Sequence, residues 1–288
     1  MPLRLFSRAS RHASRVMTPE SNRIRLAGAV RACRKAREQV AMRLAPRLSQ
    51  LAHFALPNLC PLCGNLSRTT FCVCCDAAYW NEARLRCTVC AMPLAHRRRM
   101  RWPTMGSTRY RCEACIETPP AFDATLALAD YRAPLDLLAR GLKFRARLAL
   151  GEEFARRLAL AAQDNLDPHT RPDIVVPVPL SRERLIERGY NQAWEIARPL
   201  ARRLGTPADA TLVRRTLHTA PQSKLDREAR RRNVGRAFAL ARPVAGQHVG
   251  VVDDVMTSGA TLDALAHTLK AAGARRVTNF VALRTPKD

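Results

Sequence analysis

Two adjacent carboxylates and the hydroxyl-rich turn that follows them are the residues of this sequence most suited to chemistry. Asp253 and Asp254 close an apolar run at 248–252, a pattern typical of a buried parallel strand. Leucine spacing from 260 to 272 then predicts a helix, with Gly273 as its stop. The turn between strand and helix consists of Thr257, Ser258, Gly259, Ala260 and Thr261. Backbone N–H groups at a helix start, with hydroxyls beside them, favour an anion such as phosphate.

The acidic pair and the turn together predict a ligand that carries both a phosphate and hydroxyl groups. Carboxylates would repel a phosphate, but Asp253 and Asp254 suit a vicinal diol or a hydrated Mg²⁺. A ribose phosphate meets both conditions, with its hydroxyls on the acids and its 5′-phosphate on the turn. The alternative is an ordinary strand-to-helix turn, in which the acids serve only as an N-cap.

A second buried strand is predicted at 173–180, and a basic segment follows it directly. Open parallel sheets bind ligands at the carboxyl ends of their strands, so this segment is a candidate for a second phosphate site. Its candidate residues are Arg184, Arg188, Asn191 and Gln192. The alternative for each arginine is a solvated position on a basic helix.

Eight of the ten cysteines form four Cys-x-x-Cys pairs, which predict a metal site. The pairs are Cys60/Cys63, Cys72/Cys75, Cys87/Cys90 and Cys112/Cys115. Two such pairs complete a tetrahedral Cys₄ site, so we expect one or two structural Zn²⁺ ions. Sequential pairing is the simplest arrangement, interleaved pairing is the alternative, and Cys74 could replace Cys75. Redox chemistry is the rival function, but it uses one pair near a βαβ unit rather than four in series.

Composition bounds the class of protein. The 288 residues give room for two modest domains, and the net charge of +25 predicts attraction to polyanions. High arginine content also follows from GC-rich coding, so charge alone is a weak indication of nucleic acid binding. We find no apolar run long enough for a membrane span or a signal peptide and therefore expect a cytoplasmic protein. In a reducing compartment, ten cysteines indicate metal ligation rather than disulfides.

The chain divides into three predicted parts. Residues 1–55 form a basic extension, which is either an arm for nucleic acid or membrane surfaces or a disordered, loosely helical segment. Residues 56–118 form the cysteine-rich module, which we expect to need metal in order to fold. A boundary at Pro119-Pro120 starts an α/β domain over 119–288.

Three further segments bear on the predicted cleft. Arginines interleaved with Trp102 at 96–103 predict either contact with nucleic acid or a solvated loop. Lys143 either faces the cleft as a phosphate partner or is an exposed helical lysine. The polar stretch at 214–234 predicts a mobile loop that folds over the cleft and excludes water.

Several motifs together resemble known families. The string Val-Val-Asp-Asp-Val-Met-Thr-Ser-Gly-Ala-Thr at 251–261 resembles the phosphoribosyl-pyrophosphate (PRPP) signature of type I phosphoribosyltransferases. With the cysteine array and the Val-Pro-Val-Pro-Leu…Arg-Gly-Tyr-Asn-Gln segment at 176–192, it resembles the ComF family over roughly 57–286. The extra Cys74 and the long basic N-terminus depart from that pattern.

The resemblance implies a fold, ligands and partners. It implies an α/β protein with a type I phosphoribosyltransferase-like parallel sheet flanked by helices and a small N-terminal zinc-ribbon module. The implied ligands are PRPP with Mg²⁺, beside structural Zn²⁺. The implied role is in DNA uptake during natural transformation, with single-stranded DNA and uptake proteins as partners, or in nucleotide metabolism.

Two functional hypotheses follow. In the first, the chain is a phosphoribosyltransferase: Asp253 and Asp254 hold the ribose, residues 257–261 hold the 5′-phosphate, and Arg184 and Arg188 stabilise the leaving pyrophosphate. In the second, it is a non-catalytic module of a DNA transport apparatus that binds phosphates or single-stranded DNA. No set of side chains in the sequence selects a particular acceptor.

Overall fold

The structure, a computed structural model, describes residues 58–80, 85–94, 110–165, 171–216 and 237–286. Its strands are β1 (Asn58–Leu59), β2 (Leu66–Ser67), β3 (Ala124–Asp130), β4 (Ile174–Pro177), β5 (Val213–Arg215), β6 (Phe238–Leu240), β7 (His248–Met256) and β8 (Arg276–Arg284). Its helices are α1 (Val73–Tyr79), α2 (Glu113–Glu117), α3 (Asp136–Phe144), α4 (Ala149–Asn165), α5 (Arg182–Arg188), α6 (Gln192–Leu204) and α7 (Ala260–Ala271).

Three predicted segments lie outside the described residues: the extension 1–55, the basic loop 96–103 and the part of the predicted lid at 217–236. Within the described part of the chain, none of the helices is both long and apolar enough to cross a membrane.

Four parallel strands form the central sheet, in the order β3-β8-β7-β4. β7 and β8 occupy the middle and are almost entirely buried, as expected for a parallel sheet covered by helices. At the carboxyl edge, the strand register places Asp130 of β3 and Met256 of β7 on either side of Arg284 of β8. The predicted parallel α/β sheet is therefore confirmed.

Two apolar cores lie on opposite faces of this sheet. Successive residues of a strand point to opposite faces, and β4 shows this: Val175 belongs to one core, and Ile174 and Val176 belong to the other. Helices α3, α4 and α6 cover the first face. Helix α7 covers the second, with its leucine stripe of Leu262, Leu265 and Leu269 fully buried.

Two small cysteine-rich units precede the sheet: unit 1 (residues 58–80) and unit 2 (residues 85–94 and 110–118). Each ends in a short helix whose N-cap is a cysteine, Cys72 for α1 and Cys112 for α2. Unit 1 shares the core of the α4 face through Cys60 and Phe71, whereas unit 2 shares the core of the α7 face. The two units therefore contact different parts of the same α/β domain.

Two short antiparallel strands, β5 and β6, lie at the start of the predicted lid and just after its end. β5 and β6 pair antiparallel, with Val213 opposite Leu240 and Arg215 opposite Phe238. The sequence indicates an irregular stretch from Arg214 onwards. The difference arises because a three-residue strand is too short to show a periodic pattern and forms only when its distant partner is present.

Candidate functional site

The acidic pair lies at the carboxyl end of β7, as the sequence predicts. Asp254 is 1% exposed, and its Oδ2 lies 3.0 Å from Nζ of Lys143, a residue in the last turn of α3. Asp253 is partly exposed, and its Oδ1 accepts a hydrogen bond of 2.9 Å from the Asp254 backbone N–H. Asp254 is thus buried and paired with a lysine, while part of Asp253 reaches the surface.

The environment of Asp253 favours its protonated form. Although part of the residue reaches the surface, protein surrounds its carboxyl group. This desolvation, and then the charge of neighbouring Asp254, raise the pKa of Asp253 well above its ordinary value. Lys143 acts in the opposite direction but more weakly. A divalent cation or a diol that donates hydrogen bonds would relieve this repulsion, so the pair is suited to bind either.

The turn after β7 has the conformation expected of an anion site. Gly259 has φ +84°, the left-handed region, and is the N-cap of the twelve-residue helix α7. This φ favours glycine, because an L side chain is strained there, and a Cβ at this position would also displace the Met256 methyl group, which would lie 2.5 Å away. Around it Thr257, Ser258, Ala260 and Thr261 are exposed, and Ser258 Oγ accepts a 3.3 Å hydrogen bond from Ala260 N–H. Hydroxyls and the helix N-terminus therefore border solvent together.

The basic segment after β4 starts beside the acidic pair. Pro177 pairs with Val252, and Val178 N–H donates to Val252 O at 2.9 Å. Arg184 lies exposed on α5. Arg188 donates from Nη1 to Gln192 Oε1 at 2.9 Å. Both predicted phosphate sites consequently lie at one edge of the sheet.

Asn191 and Gln192 have structural partners of their own. Asn191 Oδ1 caps α6 by accepting from Ala193 N–H, and its Nδ2 donates to Val178 O at 3.0 Å. Gln192 is 4% exposed and receives the Arg188 hydrogen bond. These contacts shape the loop, and a direct contact of either amide with pyrophosphate stays a prediction.

The end of α3 is the third segment at this edge. The Tyr190 hydroxyl donates to the Leu142 carbonyl oxygen, and the Arg188 guanidinium lies 5.2 Å from the centre of the Phe144 ring. Between these contacts, Lys143 reaches the acidic pair. The sequence left open whether Lys143 faces the cleft or solvent, because no local pattern records the approach of α3 to β7. The structure places it at the acids.

The eight predicted cysteine ligands form two separate clusters, and the pairing is sequential. Cluster 1 consists of Cys60, Cys63, Cys72 and Cys75, and cluster 2 of Cys87, Cys90, Cys112 and Cys115. Within each cluster the four sulfur atoms all lie within 4.8 Å of one another. Cys74 belongs to neither cluster, so Cys75 is the candidate ligand. A tetrahedral zinc site with Zn–S bonds of ~2.3 Å requires sulfurs this close.

Within each cluster the thiol pKa values are shifted in opposite directions. The hydrogen bond from Cys90 lowers the pKa of Cys87 to about 4, and desolvation raises that of Cys115 to about 12. In cluster 1, desolvation opposes ionisation of Cys60, but hydrogen bonds from the backbone of Cys72 and of other residues lower the pKa of Cys60. Desolvation raises the pKa of Cys63 to about 11. Each cluster thus favours one thiolate, and a divalent cation would stabilise the others.

Comparisons with known proteins agree with this construction. A family model described as a phosphoribosyl transferase domain matches residues 191–288. DNA utilization protein YhgH of Salmonella typhimurium is 35% identical over 236 residues, which cover 80% of this chain and 98% of that protein. Competence protein F of Haemophilus influenzae is 33% identical over 171 residues, covering 58% of this chain and 75% of that protein.

Among solved structures, a purine phosphoribosyltransferase from Pyrococcus horikoshii Ot3 aligns at 18% identity and a TM-score of 0.29, over 46% of this chain and 83% of that one. The fold assignment rests instead on the sheet order and the family model. This protein matches 98% of the length of YhgH at 35% identity, it resembles Competence protein F, and it combines a cysteine array with a phosphoribosyl transferase domain in one chain. It therefore belongs to the ComF family.

Proposed function

We propose that this protein binds PRPP together with Mg²⁺ and transfers its phosphoribosyl group to an acceptor. The observation that carries the proposal is the position of the acidic pair. Asp253 and Asp254 lie between a glycine turn that opens α7 and the basic segment that follows the neighbouring strand β4. A ligand with a phosphate, a diol and a pyrophosphate would meet a suitable group at each of these three places.

In the proposed reaction, the bond between C1 of the ribose and the pyrophosphate oxygen breaks, and that oxygen keeps the electron pair. A lone pair of the acceptor forms the new bond at C1, and the acceptor's proton passes to solvent. Asp253 and Asp254 hold the ribose hydroxyls, and residues 257–261 hold the 5′-phosphate. Arg184 and Arg188 stabilise the charge that develops on pyrophosphate.

The acidic pair also supplies the oxygen ligands that Mg²⁺ prefers. When bound, this ion would neutralise part of the pyrophosphate charge, and Asp253 and Asp254 are the residues that would hold it. Lys143 contributes by forming an ion pair with Asp254, which orients that buried carboxylate. The two cysteine clusters are proposed as structural Zn²⁺ sites, since each offers four cysteine ligands and no open position.

Binding can be tested by titrating PRPP with Mg²⁺ into zinc-loaded protein. The double variant Asp253→Asn/Asp254→Asn should weaken binding at least about tenfold, because charge-assisted hydrogen bonds contribute ~1.5–3 kcal/mol each. Asp164→Asn, an exposed position on α4, is the matched control and should bind as the parent does. Equal affinity of the double variant and the parent would refute the assignment.

Catalysis requires a separate measurement of pyrophosphate release. Free nucleobases and single-stranded DNA should be offered as acceptors with saturating PRPP. Release above the rate of spontaneous PRPP hydrolysis, abolished in the double variant, would establish transfer. Tight PRPP binding with no pyrophosphate release in the presence of any acceptor would show that the protein binds PRPP without transferring its phosphoribosyl group.

A second candidate function is binding of single-stranded DNA. The net charge of +25 and the names of the relatives, "DNA utilization protein" and "Competence protein", favour it. Binding through many lysine and arginine contacts to phosphates must weaken steeply as salt rises. An affinity that is flat between low and moderate salt would contradict this function, and substitution of the arginines at 97–101 would test whether that segment takes part.

A further inference from the structure

Arg284 is a buried guanidinium at the carboxyl end of β8, only 2% exposed. Its side chain lies within hydrogen-bonding distance of four main-chain carbonyl oxygens, three of which share the two hydrogens of Nη1. Nε reaches Cys90 O at 2.9 Å, and Nη1 reaches Met256 O at 3.0 Å, Thr285 O at 2.7 Å and Thr257 O. A rigid, permanently charged fork of this kind fixes several acceptors relative to one another.

The acceptors of Arg284 belong to two sites that are far apart in the sequence. Cys90 is a member of cluster 2. Met256 and Thr257 lead into the turn proposed to hold the 5′-phosphate. One side chain therefore joins the second metal cluster to the phosphate turn without any intervening residue.

Further contacts hold unit 2 along β3, from Asp130 at its carboxyl end to Thr125 near its amino end. Arg86, which immediately precedes Cys87, forms an ion pair of 2.9 Å with Asp130 and donates to Ala91 O. Thr88 O accepts from Thr125 N–H at 3.2 Å. Because Asp130 is the strand neighbour of Arg284, both arginines anchor unit 2 at one point.

The back of the phosphate turn packs on the same core. A Cβ built on Gly259 would lie 4.0 Å from Cζ of the Phe122 ring, and Phe122 shares its core cluster with Cys87, Val89 and Cys90. Cluster 1 lies elsewhere, in the core that covers α4. The geometry therefore distinguishes the two clusters: one supports the turn and the other does not.

We propose that Arg284 is a positioning residue for the phosphate turn, and that the metal-bound fold of cluster 2 sets the affinity of that turn through it. When cluster 2 loses its metal, Cys90 O is no longer held in place. Arg284 then loses an acceptor in a buried site, and Met256 and Thr257 lose their fixed donor. Only the identity of the ligand rests on the proposed function; the coupling between cluster and turn does not.

The first test compares matched ligand substitutions in the full-length chain. Cys112→Ser removes a half-buried ligand of cluster 2, and Cys63→Ser removes a half-buried ligand of cluster 1. Each should lower zinc content by about one ion. Backbone hydrogen exchange of residues 256–261, measured without ligand, should accelerate about tenfold or more in Cys112→Ser and stay at the parent rate in Cys63→Ser.

Arg284→Lys provides the second test and needs no change to the cysteines. A lysine keeps the charge, but its single nitrogen cannot reach Cys90 O and the Nη1 acceptors in the fixed arrangement of the guanidinium, which uses Nε for the first and Nη1 for the others. Exchange at 256–261 should accelerate while zinc content stays at the parent value. The KM for PRPP should rise about tenfold with kcat little changed, whereas a general loss of folded protein would lower kcat and leave KM alone.

Two outcomes would overturn the proposal. One is parent-like exchange at 256–261 in both Arg284→Lys and a Cys112→Ser protein shown to have lost zinc. The other is equal acceleration in Cys63→Ser. If Cys112→Ser does not fold, chelator titration of the parent and of Arg284→Lys replaces it, with exchange at 256–261 followed against zinc released. Failure of the parent to bind PRPP would refute the proposed ligand and leave the exchange result to decide the coupling.

Discussion

The two cysteine units have nearly the same local construction. In each, the first cysteine donates its N–H five residues ahead, to Asn65 O in unit 1 and to Met92 O in unit 2, both at 2.8 Å. In each, the residue after the second cysteine has positive φ, +72° at Gly64 and +55° at Ala91. A helix that begins with a cysteine N-cap then supplies the other two ligands. The same local four-cysteine unit is therefore used twice.

The units differ in what they contact. Unit 1 inserts aromatic side chains against α4: Trp80 packs edge-on to Phe154, and the Arg157 guanidinium lies 4.5 Å from the Trp80 ring centre. Unit 2 contacts the carboxyl edge of the sheet through Arg86 and Arg284. The comparison shows that the same local unit can extend a hydrophobic core in one place and support a candidate ligand site in another.

The largest expected effect comes from truncating one buried phenylalanine beside each unit. The pair of variants tests whether only unit 2 supports the candidate ligand site. Phe154→Ala on the unit 1 side and Phe122→Ala on the unit 2 side each remove a buried ring. Each should lower the free energy of unfolding by about 3–5 kcal/mol. Only Phe122→Ala should also weaken PRPP binding, because Phe122 lies behind Gly259. Denaturant unfolding and PRPP titration of each variant measure the two effects, and equal PRPP affinities would contradict the distinction.

Asp253→Asn should stabilise the fold while it impairs the site. The raised pKa of Asp253 means that the folded state binds a proton more tightly than the unfolded state. Stability from this group is complete below the ordinary value of 3.8 and is lost as pH rises through the raised pKa. The variant should therefore melt at a higher temperature than the parent near pH 8, and the difference should vanish near pH 3.

Thermal unfolding across that pH range measures the effect, with Asp164→Asn as the control for loss of an exposed carboxylate. A variant that is less stable than the parent at pH 8 would show that Asp253 has stabilising partners that outweigh its repulsion from Asp254.

Gly64→Ala gives the smallest expected effect on stability. It places in unit 1 the residue type that unit 2 has at the equivalent turn, where Ala91 follows the second cysteine. Nothing lies within 4 Å of a Cβ at Gly64, so the cost is backbone strain alone. We expect a loss of about 1 kcal/mol of unfolding free energy. Zinc content should not change, because Ala91 already occupies the same conformation in unit 2. Loss of zinc from this variant would show that the two turns are not equivalent.

Much of the site was predictable because its parts are local. The apolar run before Asp253, the glycine turn and the leucine stripe of α7 are all short-range patterns, and the structure has them where the sequence predicts them. The sequential pairing of the cysteines was also accessible, since neighbouring Cys-x-x-Cys turns need only short connections to share an ion. Hydrophobic periodicity similarly predicts the parallel sheet.

Other parts required the tertiary structure. Cys90 and Arg284 are separated by 194 residues, and they meet because β8 lies between β3 and β7 in the sheet. Lys143 reaches Asp254 for a similar reason, because α3 packs on the sheet face that includes Val252 and Leu283. Strand order and helix docking are set by the burial of whole apolar faces, which no short motif encodes.

The amino-acid sequence alone thus identified the candidate residues for the proposed chemistry: the acidic pair, the turn at 257–261, the basic segment and the eight cysteines. The tertiary structure decided which of them have neighbours that tune them. It placed a lysine on one acid, sorted two similar cysteine units to different partners, and joined one of them to the phosphate turn through a buried arginine. The physical reason is that ligand chemistry depends on side-chain type and local spacing, whereas coupling depends on contacts that only the folded sheet creates.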